Sequence, residues 1–139
     1  MKNVIISIQG FQRVENKEED KIELVTDGQY EKENGVAVFS YMESELTGLE
    51  GTKTTFTVDN DIVTLMREGT LNSRMLFEKG QKHFFMYELP FGSVTMGVST
   101  NSIEADLGEK GGDLEIKYTV DMDNSVVSEN TFRINVKEV

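Results

Sequence analysis

Closely spaced carboxylates are the first residues of this sequence that could do chemistry, because a pair of them can hold a divalent cation or act as acid and base in glycoside hydrolysis. Asp59-Asn60-Asp61 and Asp121-Met122-Asp123-Asn124 have that spacing. Neither is followed by the glycine and distal glutamate of a calcium loop, and both fall where Asx side chains cap backbone amides. They are expected to form turns. Gly48-Leu49-Glu50-Gly51-Thr52-Lys53-Thr54 has the glycines and lysine of a phosphate cradle, but with the wrong spacing and with a strand pattern instead of a helix behind it. His83 is the only histidine, and a general base would need an orienting carboxylate and a nucleophile that the sequence does not supply. It is expected to be exposed at the start of a strand. No Gly-x-Ser-x-Gly elbow occurs, and the absence of cysteine excludes a thiolate nucleophile, a disulfide and a cysteine metal site.

The more informative charges are Arg67 and Glu43. In Ile62 to Arg67, one face of an extended chain carries Val63, Leu65 and Arg67 and the other carries Ile62, Thr64 and Met66, so Arg67 can point inward. Phe39, Tyr41 and Glu43 share a face in the same way. If both faces are internal, the two charges can neutralise one another, since buried charges are seldom left single. That pair reads either as a salt bridge fixing strand register or as the polar anchor of a small-ligand cavity, with Tyr41 and Tyr87 as hydrogen-bonding neighbours. Met66, Met75, Met86 and Met96 fall on successive strands and could give such a cavity a pliable lining. The basic stretch Arg67, Arg74, Lys79, Lys82 and His83 should be scattered by alternation over both faces.

The elements that must position these residues are strands. Short alternating runs are broken about every ten residues by Gly, Asn or Asp, which is the mark of hairpins. Val4 to Val14 begins the series, and the acidic stretch Glu15 to Asp20 reads as a solvated hairpin loop. Lys21 to Thr26 should stop at Asp27-Gly28, with Tyr30 to Glu33 continuing the strand beyond a bulge or turn. Asn34-Gly35 is the strongest hairpin signal, because both residues tolerate the positive φ of a type I′ turn. Further strands are expected over Val36 to Glu43, Thr52 to Val58, Ile62 to Arg67, Asn72 to Phe77, His83 to Leu89, Ser93 to Thr100, Leu114 to Val120 and around Phe132 to Val136. Ser102 to Leu107 is ambiguous between a strand and one helical turn.

Eight to ten strands, one proline and no amphipathic helix define an all-β fold over residues 1–139, taken as one domain. Consecutive hairpins favour an antiparallel up-and-down barrel, with a sandwich as the alternative. The net charge of −11 disfavours nucleic acid and anionic membrane surfaces as partners. The apolar part of the N-terminus is too short for a secretory leader, and no stretch approaches the length of a membrane span, so the expected location is the cytoplasm.

Leu65-Met66-Arg67-Glu68-Gly69, Met75-Leu76-Phe77 with Gly80, Tyr87-Glu88-Leu89-Pro90-Phe91-Gly92, and Thr100 with Ile103 together resemble the YwiB-like family of small bacterial proteins. Tyr41-Met42-Glu43 and Gly48 to Thr54 belong to the same likeness. The resemblance implies a calycin-like, that is lipocalin-like, barrel and carries no known function. The expectation is a barrel without enzymatic activity or cofactor, binding a small, partly apolar or anionic ligand through Arg67, Glu43, Tyr41 and Tyr87. The alternative is a filled barrel whose surface serves a protein partner, and a homodimer is left open.

Overall fold

Alternation of side chains is realised as ten strands in one antiparallel sheet. They are β1 (Lys2–Val14), β2 (Asp20–Glu33), β3 (Val36–Met42), β4 (Lys53–Asp59), β5 (Ile62–Glu68), β6 (Ser73–Glu78), β7 (Lys82–Leu89), β8 (Gly92–Gly108), β9 (Gly111–Met122) and β10 (Ser125–Glu138). The computed structural model describes residues 1–14, 17–45, 48–70, 72–89 and 91–139, the side chains of 87–89 excepted. The spatial order β6-β5-β4-β3-β2-β1-β10-β9-β8-β7 is an up-and-down meander cut between β6 and β7, with the first and last strands of the chain paired at its centre.

The sheet curls until its two end strands meet. Among the described residues they do not form a ladder with one another. Closure comes through a parallel bridge between Lys79 and Thr100, a bond from the Gly80 amide to the Thr100 carbonyl (2.9 Å), and the contact of His83 Nε2 with Glu78 Oε1 (3.0 Å). The result is a nearly closed barrel, which leaves little exposed strand edge.

Tight turns close one end, here called the base. Asn34 and Gly35 both have positive φ (53° and 81°), as the type I′ hairpin requires, and Asn60 (54°) turns β4 into β5. Tyr30 Oη donates to the Gly108 carbonyl (2.6 Å) and Lys32 Nζ to the Leu107 carbonyl (2.7 Å), tying β2 to the β8–β9 hairpin at this end. The opposite end, the rim, carries the longer connections β1–β2, β3–β4 and β5–β6.

Inside, Val4, Ile6, Tyr30, Phe39, Phe56, Val63, Leu65, Phe77, Leu114 and Ile116 are buried almost completely. Phe39 stacks on Phe56 (4.9 Å), Phe56 meets Phe132 edge-on (6.2 Å), and Tyr118 lies between Phe132 (5.7 Å) and Phe77 (4.8 Å). Side chains thus fill much of the interior, and offset and edge-on rings add to the gain from burial.

Several expectations need correction. Asp27-Gly28 does not end a strand, since β2 runs unbroken for 14 residues. Gly28 is there for close approach: a Cβ would lie 2.4 Å from Ile6 Cδ1 and 2.6 Å from the Ser40 carbonyl oxygen. Ser102 to Leu107 is strand, the second half of β8, entered through a bulge between Thr100 and Ser102. Glu15 and Asn16 of the expected loop lie outside the described residues, and Asp20 already belongs to β2. Asp121 is more than a turn former, for it is buried near the end of β9 and pairs with Lys82 Nζ at 3.0 Å. His83 is half-buried against Glu78, because the β6–β7 connection folds the two together.

Candidate functional site

At the rim the aromatic filling gives way to a cup of about 540 Å3. Three neighbouring strands build its polar floor by register. Tyr41 of β3 lies opposite Thr54 of β4, and Thr54 lies opposite Arg67 of β5. Each continues an inward row, Phe39-Tyr41-Glu43, Phe56-Thr54-Thr52 and Val63-Leu65-Arg67, so the polar residues sit one pleat above the aromatic core. Glu43 stands just past the end of β3, and its backbone amide is held by the Thr52 carbonyl at 2.8 Å.

Among the described residues the Glu43 carboxylate is the least exposed charge, its side chain only 2% exposed. Thr54 Oγ1 donates to its Oε2 at 2.6 Å, and Arg67 Nε stands 3.9 Å from the same oxygen. The Arg67 Nε–H is itself buried and, among the described residues, has no hydrogen-bond acceptor. A buried donor left unpaired costs roughly 1–3 kcal/mol, while the Arg67 side chain as a whole, 21% exposed, lines the cup. Burial pushes the Tyr41 phenol well above its ordinary pKa, and the Glu43 charge pushes it further while Arg67 opposes the rise. Burial does the same to Tyr118, again against Arg67. Both phenols therefore stay neutral through the physiological range and serve as hydrogen-bonding groups, not charges.

The walls come from β1, β2, β9 and β10. Ile8, Leu24, Phe132 and Tyr118 supply apolar surface, and Gln12 and Asn130 supply amides nearer the rim. Gly10, on the inward face of β1 between Ile8 and Gln12, leaves the space that a side chain would occupy, and its missing Cβ would stand 3.8 Å from the Phe132 ring. Ile22, also in the lining, is 56% exposed and gives the rim an apolar patch. Lys21 and Asp20 flank it, and the Lys21 ammonium is engaged by Glu23.

Of the residues singled out in the sequence, the fold brings Arg67, Glu43 and Tyr41 together on the cup floor. Tyr87 lies on β7, opposite Val94, and its side chain is outside the described residues. The methionines do not line the cup. Met75 is in the core, Met96 packs against it, and Met86 is exposed on the outer face. Thr54, Tyr118, Phe132 and Gly10 are the parts that sequence reasoning missed. Thr54 could have been found, since it continues the inward row of Val58 and Phe56. The others face Arg67 only because the sheet closes. Two further hollows of about 560 Å3 each lie on the outer face of the sheet. Among the described residues, no group of three or more His, Cys, Asp or Glu is placed to hold a metal ion.

Fold and site define a ten-stranded, nearly closed antiparallel barrel with a polar-floored cup at one end. The chain belongs to the family described as a domain of unknown function, DUF1934, whose model matches residues 6–134. It is 33% identical over 101 residues to the uncharacterised β-barrel protein YwiB of Bacillus subtilis (strain 168), a match that spans 72% of this chain and 69% of the relative. The crystal structure of the Bacillus subtilis ywiB protein superposes with a TM-score of 0.87 at 23% identity, covering 99% of this chain and 92% of that one. The barrel fold is common to both. Among the described residues, no helix is long and apolar enough to cross a membrane.

Proposed function

We propose that this protein is a non-enzymatic, cytoplasmic binding barrel that takes a small, partly apolar molecule into the rim cup. The carrying observation is Arg67, its side chain 21% exposed and its Nε 3.9 Å from the Glu43 carboxylate, on the floor of a hollow with apolar walls. A concave, mainly apolar pocket with a few convergent polar groups is the usual form of a small-ligand site. In this reading Arg67 receives the polar end of the ligand, Tyr41 and Glu43 orient Arg67, and Ile8, Leu24 and Phe132 hold the apolar body. Tyr87 is kept as a neighbour on the strength of its sequence position alone.

The rival reading is a filled barrel that acts through its outer surface on a protein partner, as a monomer or a homodimer. The aromatic packing beneath the cup supports it. Native mass spectrometry of the purified protein, followed by denaturing release, separates the two. The binding reading expects a retained molecule of drug-like size or smaller, absent from a folded Gly10→Val variant whose side chain occupies the cup. No retained molecule, together with no response of an apolar fluorescent probe to the Gly10→Val change, favours the filled barrel.

A further inference from the structure

Resting on the reading of the cup as a ligand site, we infer that its ligand is electrically neutral: an apolar, ring-sized body ending in a carbonyl-type acceptor. The charges lining the cup point to this. Arg67 is the cation on its floor and Glu43 the anion beside it; Asp20 adds a further negative charge to the lining, while the Lys21 ammonium lies over the Phe11 ring, 5.6 Å from its centroid. The Lys21 ammonium is further engaged by Glu23, outside the lining. Both lining phenols remain protonated and add no charge.

An anionic ligand would meet a poor balance here. A carboxylate placed on Arg67 would share that guanidinium with the Glu43 carboxylate, whose oxygen is already 3.9 Å from Nε. Two carboxylates in one partly buried site disfavour each other's ionised forms. The approach is also uphill, since the whole chain carries a net charge of −11. A neutral carbonyl avoids both costs. It accepts from the Arg67 guanidinium where that side chain lines the cup, brings no second charge out of water, and leaves the Glu43 contacts with Thr54 and Arg67 in place. The apolar walls of Ile8, Leu24 and Phe132 then take the remainder of the molecule.

Matched neutral and anionic compounds test the inference. Four amide and carboxylate pairs of equal shape (cinnamamide and cinnamate, phenylacetamide and phenylacetate, indoleacetamide and indoleacetate, hexanamide and hexanoate) are titrated into the full chain by calorimetry at neutral pH and low salt. The inference expects the best-bound amide to exceed its carboxylate by on the order of tenfold or more, as like-charge crowding at a shared cation implies. It also expects Arg67→Met to remove that binding, and Glu43→Gln to shift the preference toward the carboxylate. The wild-type comparison decides even if the Glu43 variant does not fold. Tighter binding of the carboxylates overturns neutrality while leaving the cup as the site. Binding of none of the eight compounds counts against the cup reading itself.

Discussion

Arg67 Nε stands 3.9 Å from the Glu43 carboxylate, near enough for charge compensation but too far for a hydrogen bond, so that among the described residues the carboxylate is partnered while the Nε–H is not. A pair fixing strand register would be expected to satisfy both sides. Here the acid accepts from Thr54, while the Arg67 side chain, 21% exposed, lines the cavity. That asymmetry is the basis of the ligand-binding reading.

Removing the cation should leave Glu43 buried with only its hydrogen bonds. Arg67→Met is expected to destabilise the fold by about 2–4 kcal/mol, toward the lower end of the range for broken buried pairs because Arg67 keeps some contact with water. Urea unfolding at neutral pH measures it. A change under about 0.5 kcal/mol, the size of an ordinary surface substitution, would show that the pair contributes nothing.

Thr54→Val keeps shape and removes the donor to a buried carboxylate. The expected loss is about 1.5–3 kcal/mol, the range for hydrogen bonds to charged groups. If the variant unfolds at the wild-type denaturant midpoint, Glu43 is being satisfied by other groups.

Gly28 and Gly10 make a paired test of close approach. At Gly28 a methyl group would run into Ile6 and the Ser40 carbonyl, so Gly28→Ala should cost about 1–3 kcal/mol through overpacking. At Gly10 the same methyl meets only the Phe132 ring at ordinary contact distance, so Gly10→Ala should be neutral or slightly stabilising. Equal effects at the two sites in thermal unfolding would contradict the packing described for β2 against β1 and β3.

The buried phenols set the alkaline limit of stability. For Tyr41 and Tyr118 the folded-state pKa is raised above the ordinary value of 10.0, chiefly by burial. Above that pH the unfolded chain gives up protons that the folded chain keeps. Their contribution is therefore complete below pH 10 and is lost as pH climbs toward the folded-state values. The expected slope is about −1.4 kcal/mol per pH unit for each phenol. Denaturant unfolding between pH 9 and pH 11.5, with phenolate absorbance followed in parallel, checks it. Full phenolate titration near pH 10 in the folded protein would show that these hydroxyls are open to water.

Much of the fold is legible in the sequence because strand alternation has a period of two and each hairpin announces itself by Asn, Asp or Gly. Asn34-Gly35 turned as expected, and the inward phase of Glu43 and Arg67 followed from Phe39 and Leu65 beside them. Gly28 misled because a glycine needed for close packing and one needed for a turn look alike in sequence. The methionines misled for a related reason: spacing along a strand does not tell which face closure turns inward, and Met86 faces out. The far wall of the cup was out of reach, since Tyr118 and Phe132 come from β9 and β10 and face β3 to β5 only once the sheet has curled. A hollow between strands so distant in the chain is a property of closure, which local pattern does not encode.

The Nε–H resonance of Arg67, assigned by its disappearance in Arg67→Lys, reports the central claim most directly when followed by nitrogen-edited NMR through a titration with the best-bound amide. The account predicts that this one side-chain signal shifts and becomes slower to exchange with solvent as the cup fills. A signal that stays in place while the compound saturates the protein would mean that Arg67 is not where the ligand's polar end is received.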